Sequence, residues 1–148
     1  MSGQDGTAAR TVMVLVVDID GMARRDSWTS SGDFVDRLRG ELKGTVTSVD
    51  VIEGALEMWV HDESLYLCPP NPFTTAICAD VGGKRQPYYG RAIFTGVSGG
   101  GEVGSLSDEV AAGLEASVKY LTMRPAALAA LRALGQLFHE AHGVTTRA

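Results

Sequence analysis

The first cluster of apolar positions is Thr11–Asp18 (TVMVLVVD), β-branched and almost wholly apolar, which reads as a strand buried on both faces. Asp20-Gly21 closes it as a turn, and the polar stretch Arg24–Ser31, with its one Trp28, reads as a loop. Ser31 or Asp33 caps a helix over Phe34–Leu42, whose Phe34, Leu38 and Leu42 share one face, and Gly44 stops it. Alternation then predicts strands at Thr45–Val51, at Leu56–His61 (Leu56, Met58 and Val60 on one face, Glu57, Trp59 and His61 on the other) and at Leu65–Cys68. Pro69-Pro70-Asn71-Pro72 ends any ladder, because proline lacks a donor. Phe73–Val81 reads as a short helix or an irregular packed segment, Gly82–Pro87 as a loop, and Tyr88–Val97 as a last strand.

Four glycines in Ser98–Gly104 mark a flexible hinge, after which the period switches to helical. A helix starting at Ser107 carries Val110, Leu114, Val118 and Leu121 on one stripe, and a second runs from Pro125 to about His142. The expectation is an α/β (α+β) protein: a mixed or mainly antiparallel sheet of four to five strands, one packed helix, and a C-terminal helical hairpin. Its parts would be a flexible leader (1–10), an α/β body (11–97), a Gly-rich linker (98–105) and the hairpin (106–143).

At 148 residues with 45% hydrophobic and 21% charged, the chain has the size and apolar content of one folded domain. A net charge of −5 argues against direct DNA binding. The opening Met1–Gly6 has no basic or apolar region, and the longest apolar run, Val12–Val17, is too short to span a bilayer. A cytoplasmic protein is therefore expected. Cys68 and Cys78 lack CxxC spacing and read as two small buried hydrophobes, the alternative being a redox pair or half a metal site.

Candidate chemistry is sparse. Val16-Val17-Asp18-Ile19-Asp20-Gly21 resembles the first motif of the haloacid-dehalogenase phosphatases, which would imply a Mg²⁺-dependent phosphatase using Asp18 and Asp20. The chain departs from that pattern at Met22, and neither Lys84, Lys119 nor Asp108-Glu109 stands in the family's context. Otherwise Asp-Gly is a plain turn. The glycines at 99–104 precede no GK[ST], the three histidines make no ligand spacing, and no GxSxG is present, so no catalytic residue, metal site or cofactor is read. Lys84, Arg85, Tyr88, Tyr89 and Arg91, with Asn71, form a basic and aromatic cluster that could hold a small nucleotide-like ligand, or serve as an exposed loop beside an edge strand. The helix after Pro125 is apolar nearly all round. Leu128, Leu131, Leu134 and Phe138 therefore read as a homo-oligomer interface, unless the sheet and the preceding helix bury both sides.

One resemblance covers more of the chain. The elements VMVLVVD, GDFVDRLRGEL, LEMWVHDESLYL, PPNPFTTAI and YYGRAIFTG, in that order, resemble the phage and bacterial family DUF3846 over about residues 12–96, with Asn71-Pro72 and Gly90-Arg91-Ala92-Ile93 the most specific part. The hairpin at 106–143 lies outside it. The resemblance implies a phage or mobile-element setting and no particular activity. The leading expectation is a non-enzymatic accessory protein that binds a host partner; a small-molecule binder and a Mg²⁺ phosphatase are the alternatives.

Overall fold

A computed structural model of the chain describes residues 10–29 and 33–144. The expected leader, apart from Arg10, and Ser31 as a helix cap lie outside the described residues. Eleven elements follow in order: β1 (Thr11–Val17), β2 (Ala23–Thr29), α1 (Asp33–Leu42), β3 (Val46–Ile52), β4 (Leu56–His61), α2 (Ser64–Leu67), α3 (Pro72–Asp80), β5 (Ala92–Val97), β6 (Val103–Gly104), α4 (Asp108–Thr122) and α5 (Pro125–Ala141). The strands make one antiparallel sheet in the order β2-β1-β5-β4-β3, with β6 paired to β5.

The strict alternation of β1 sorts its residues into two cores. Val12, Val14 and Val16 face α1, where they meet Phe34, Leu38 and Leu42 together with Trp28 and Ile93. Leu15 and Val17 face the other way, joining Leu56, Met58, Val60 and Phe94 under Phe73 and Ile77 of α3 and Ala111, Leu114, Val118 and Leu121 of α4. The sheet is thus sandwiched, with α1 on one face and α3, α4 and α5 on the other. Each fully buried leucine or phenylalanine contributes roughly 1.5–3 kcal/mol, so these two layers carry most of the stability.

Several readings from the sequence are corrected. The expected loop at 24–31 is largely β2, paired with β1 from Thr11↔Thr29 to Val17↔Ala23. It is an edge strand with one fully buried side chain, Trp28, so hydrophobic alternation does not reveal it. What makes it is the tight return at 18–22, where Asp18 N–H donates to the Met22 carbonyl at 2.9 Å and Met22 N–H to Asp20 Oδ1 at 3.0 Å. The expected strand at Leu65–Cys68 is a turn of helix, α2: both edges of β4 are already taken by β3 and β5, and Tyr66 and Leu67 point to solvent. Phe73–Val81 resolves as the helix α3. The last strand starts at Ala92 rather than Tyr88, with Tyr89 making only an isolated bridge to Pro70.

The glycine-rich stretch, read as a flexible hinge, is a hairpin that brings back β6. Ser98 N–H donates to the Glu102 carbonyl at 2.7 Å, and a Cβ on Gly96 would collide with the Ser105 carbonyl. Beyond β6, Leu106 N–H donates to Met13 O at 3.0 Å and Met13 N–H to Ser105 Oγ at 2.7 Å, stitching the segment to β1. On α4 the buried stripe is Ala111, Leu114, Val118 and Leu121, while Val110 is exposed. Among the described residues no helix is long and apolar enough to cross a membrane.

Candidate functional site

Asn71 sits where three elements meet. It is fully buried and N-caps α3, its Oδ1 accepting from Thr74 N–H at 3.1 Å. Its Nδ2 donates to the Gly90 carbonyl at 2.8 Å and to the Val17 carbonyl at 3.2 Å. One side chain thereby ties the end of β1, the approach to β5 and the start of α3. Every polar atom of the amide is engaged within the protein, so Asn71, expected among the ligand contacts, is placed as an internal clamp.

The clamp sets Arg91 beside Asp18. Arg91 Nε donates to Asp18 Oδ1 at 2.6 Å, and its Nη1 reaches Glu41 Oε1 at 3.1 Å and the Glu41 carbonyl at 3.2 Å. These hydrogen bonds favour the charged guanidinium and hold its pKa above the ordinary arginine value. Glu41 is shared: Arg24 lies 2.9 Å and Arg37 3.6 Å away, and both also pair with Asp26. Three arginines and three carboxylates therefore balance along α1, β2 and the end of β1. With its carboxylate committed to Arg91, Asp18 stands as an ion-pair partner, and Asp20 caps the turn through its bond to Met22 N–H. Among the described residues no three His, Cys, Asp or Glu side chains group as a metal site.

Beside this pair opens a cleft of about 370 Å³ between the end of β1, the C-terminus of α1, the end of β4 and the Cys68-Pro69 segment. Asp18, Glu41 and Arg91 form one wall, Ile19, Leu42, Leu67 and Pro69 supply apolar surface, and Lys43 and His61 complete it. Gly90 is required here: its φ is +75°, and a Cβ would lie 2.8 Å from Cys68 Sγ. Burial raises the Cys68 thiol pKa, and pushes that of Cys78 up to about 12. Cys78 lies in the core with its Sγ 4.0 Å from Met58 Sδ, and both cysteines are free.

The basic and aromatic cluster read from the sequence does not form one surface. Lys84 and Arg85 are exposed on the loop after α3. Tyr88 and Tyr89 are buried, Tyr89 donating its hydroxyl to the Gly135 carbonyl at 2.7 Å and stacking on His139 at 4.2 Å. Burial pushes both phenols up to about 12. Arg91 alone reaches the cleft. Gly90, with its φ of +75°, turns the backbone between Tyr89 and Arg91.

The expected interface on α5 is likewise redistributed. Leu128 and Leu131 are half-buried against the core, whereas Leu134 and Leu137 are 50% and 61% exposed. Leu131, Leu134, Leu137 and Phe138 line an apolar groove of about 600 Å³, closed on its far side by Thr75, Ala76 and Ala79 of α3 and by Arg85-Gln86-Pro87. Sequence reasoning missed Leu137, Lys43 and His61. Leu137 is one apolar residue among many on α5. Lys43 had a signal, since it directly follows the last apolar position of α1 and precedes Gly44.

Fold and site together define an antiparallel α+β sandwich with a small ion-paired cleft at one end of its sheet and an open apolar groove on its helical face. The model of one family, a domain of unknown function (DUF3846), matches residues 11–121, and the chain belongs to that family. The match runs through α4, further than the 12–96 read from the sequence, and leaves α5 outside. No curated protein and no solved structure matches the chain.

Proposed function

We propose that the protein acts by binding rather than by catalysis, and that its partner is an amphipathic helix, carrying acidic residues along one flank, of another protein. The observation that carries this reading is the groove between α3 and α5, whose lining is almost wholly apolar and includes one cation, Arg85, directly after the exposed Lys84 in the chain. A helix laid into it would cover Leu134 and Leu137 and offer its carboxylates to these two cations, in a protein whose net charge is −5. The commitment of Asp18 to Arg91 supports a non-catalytic role, because the phosphatase reading needs that carboxylate free. The phage or mobile-element setting implied by the resemblance suits an accessory protein that occupies a host protein in this way.

The test places a photo-crosslinking amino acid at position 137 in the producing cell and maps the captured peptide. Capture of an acidic amphipathic helix, lost in Leu134→Asp and weakened by Lys84→Glu with Arg85→Glu, supports the proposal. Capture of a second copy of this chain, or of no protein, overturns it.

A further inference from the structure

The cleft beside Arg91 holds donors that the internal ion pairs leave unspent. Lys43 is the first. It occupies the left-handed position that ends α1, at φ +63°, with Gly44 N–H closing the turn onto the Arg39 carbonyl at 3.1 Å. Glycine is the usual residue at that position because a Cβ is strained there. Among the described residues, Lys43 is the one non-glycine with positive φ. The helix dipole does not account for it, since Arg39 already places a cation in the last turn of α1 from an ordinary helical position. Strain retained at a cleft wall marks a side chain kept for what it touches.

His61 is the second donor. Its Nδ1 accepts from Glu63 N–H at 2.9 Å, which leaves the ring proton on Nε2. Gly44 makes room for that edge of the ring, because a Cβ there would run into His61 Nε2. Arg91 Nη2 is the third: its bond to Asp18 Oδ2 is long, at 3.4 Å. Lys43, His61 and Arg91 therefore line one small cavity together with the apolar side chains of Ile19 and Leu67.

We propose that this cleft binds a small organic anion, one oxyanion head seated among Lys43, His61 and Arg91 and an apolar body against Ile19 and Leu67. The volume of about 370 Å³ lies at the lower end of the range for ligand sites, which fits a head on a single ring or short chain. Asp18 competes with such a head for Arg91, so the site discriminates by charge: removing the carboxylate favours an anion and disfavours a cation. This inference concerns a different surface from the α3–α5 groove and stands without it.

The test follows the amide NMR signals of Gly44 and Gly90 in the full chain while phenyl phosphate, benzoate or phenol is added. Saturable shifts at both glycines with phenyl phosphate or benzoate and none with phenol are expected, the stronger anion showing whether the head is a phosphate or a carboxylate. Lys43→Gly should weaken the binding about ten-fold or more, the worth of one charge-assisted hydrogen bond, while raising the melting temperature by relieving the strained backbone. Asp18→Asn should tighten it several-fold. The proposal is overturned if neither anion gives a saturable shift, if phenol shifts the same signals as strongly, or if Lys43→Gly binds as well as the natural chain.

Discussion

Replacing Asn71 separates two roles that its hydrogen bonds combine. As the N-cap of α3 it supplies an acceptor; as the clamp between Val17 and Gly90 it supplies two donors. Asn71→Ala removes both. Loss of the cap costs about 1 kcal/mol, and each buried carbonyl left without its donor costs about 1 kcal/mol or more. The sum is about 3–5 kcal/mol, a large share of the roughly 5–15 kcal/mol that holds a natural domain together. Asn71→Asp is the sharper experiment. Aspartate caps helices as well as asparagine does, so a residue that served only as a cap would tolerate the change. Here the new carboxylate would face the Val17 and Gly90 carbonyls in a fully buried position, and the variant should be at least as unstable as Asn71→Ala. Urea unfolding followed by the fluorescence of Trp28 and Trp59 measures both, with the slope checked for constancy. An Asn71→Asp variant within about 1 kcal/mol of the natural chain, well inside the penalty expected for leaving those carbonyls unpaired, would refute the clamp.

Two further expectations concern how α5 is held. Gly135→Ala, normally a stabilising change in a helix, should here destabilise by about 1–3 kcal/mol, because the added Cβ would lie 2.8 Å from Pro70 Cβ; Gly113→Ala, with open space around it on α4, should instead stabilise by about 0.5–1 kcal/mol, and thermal unfolding reads both signs. His139 is buried against Tyr89, and burial lowers its pKa from the ordinary 6.5. The unfolded chain then takes up a proton that the folded chain refuses, so its cost is absent well above pH 6.5 and grows as pH falls through that value. The loss of melting temperature between pH 7.5 and 5.5 should be smaller in His139→Phe.

What the sequence made legible followed from contrast. β1 was visible as a continuous apolar, β-branched run buried on both faces, and β4 because its alternation is strict. β2 was hidden because an edge strand needs only one buried side chain, Trp28, and its pairing is imposed by a five-residue turn rather than by its own pattern. The alanine-rich α5 was found as a helix, but apolar residues all round it give no signal of which side meets the core. Its inward face proved to be centred on Gly135 and His139, neither an obvious core residue. The candidate site was legible only in part. Arg91 was singled out, but its partners Asp18 and Glu41 lie 73 and 50 residues away, and no local spacing carries that information. Asn71 was noticed for its prolines; its place directly before Pro72 is also the signature of a helix cap.

The strand order has a consequence for how the chain comes together. β1 pairs with β2 and β3 with β4 as two local hairpins, yet neither hairpin touches the other through a ladder; β5 is the strand inserted between them. During synthesis the inner edges of β1 and β4 are complete some thirty residues before β5 is made, an interval of about 2–6 s at ordinary translation rates. Through that interval the nascent chain presents two unpaired edges, one of them the most hydrophobic strand in the protein. A stop before residue 92 would leave two hairpins and no sheet, whereas Asn71, already made, can grip the Val17 carbonyl but waits for Gly90 to complete its hold. Newly made β5 is thus the keystone whose arrival turns two marginal ribbons into one cooperative body.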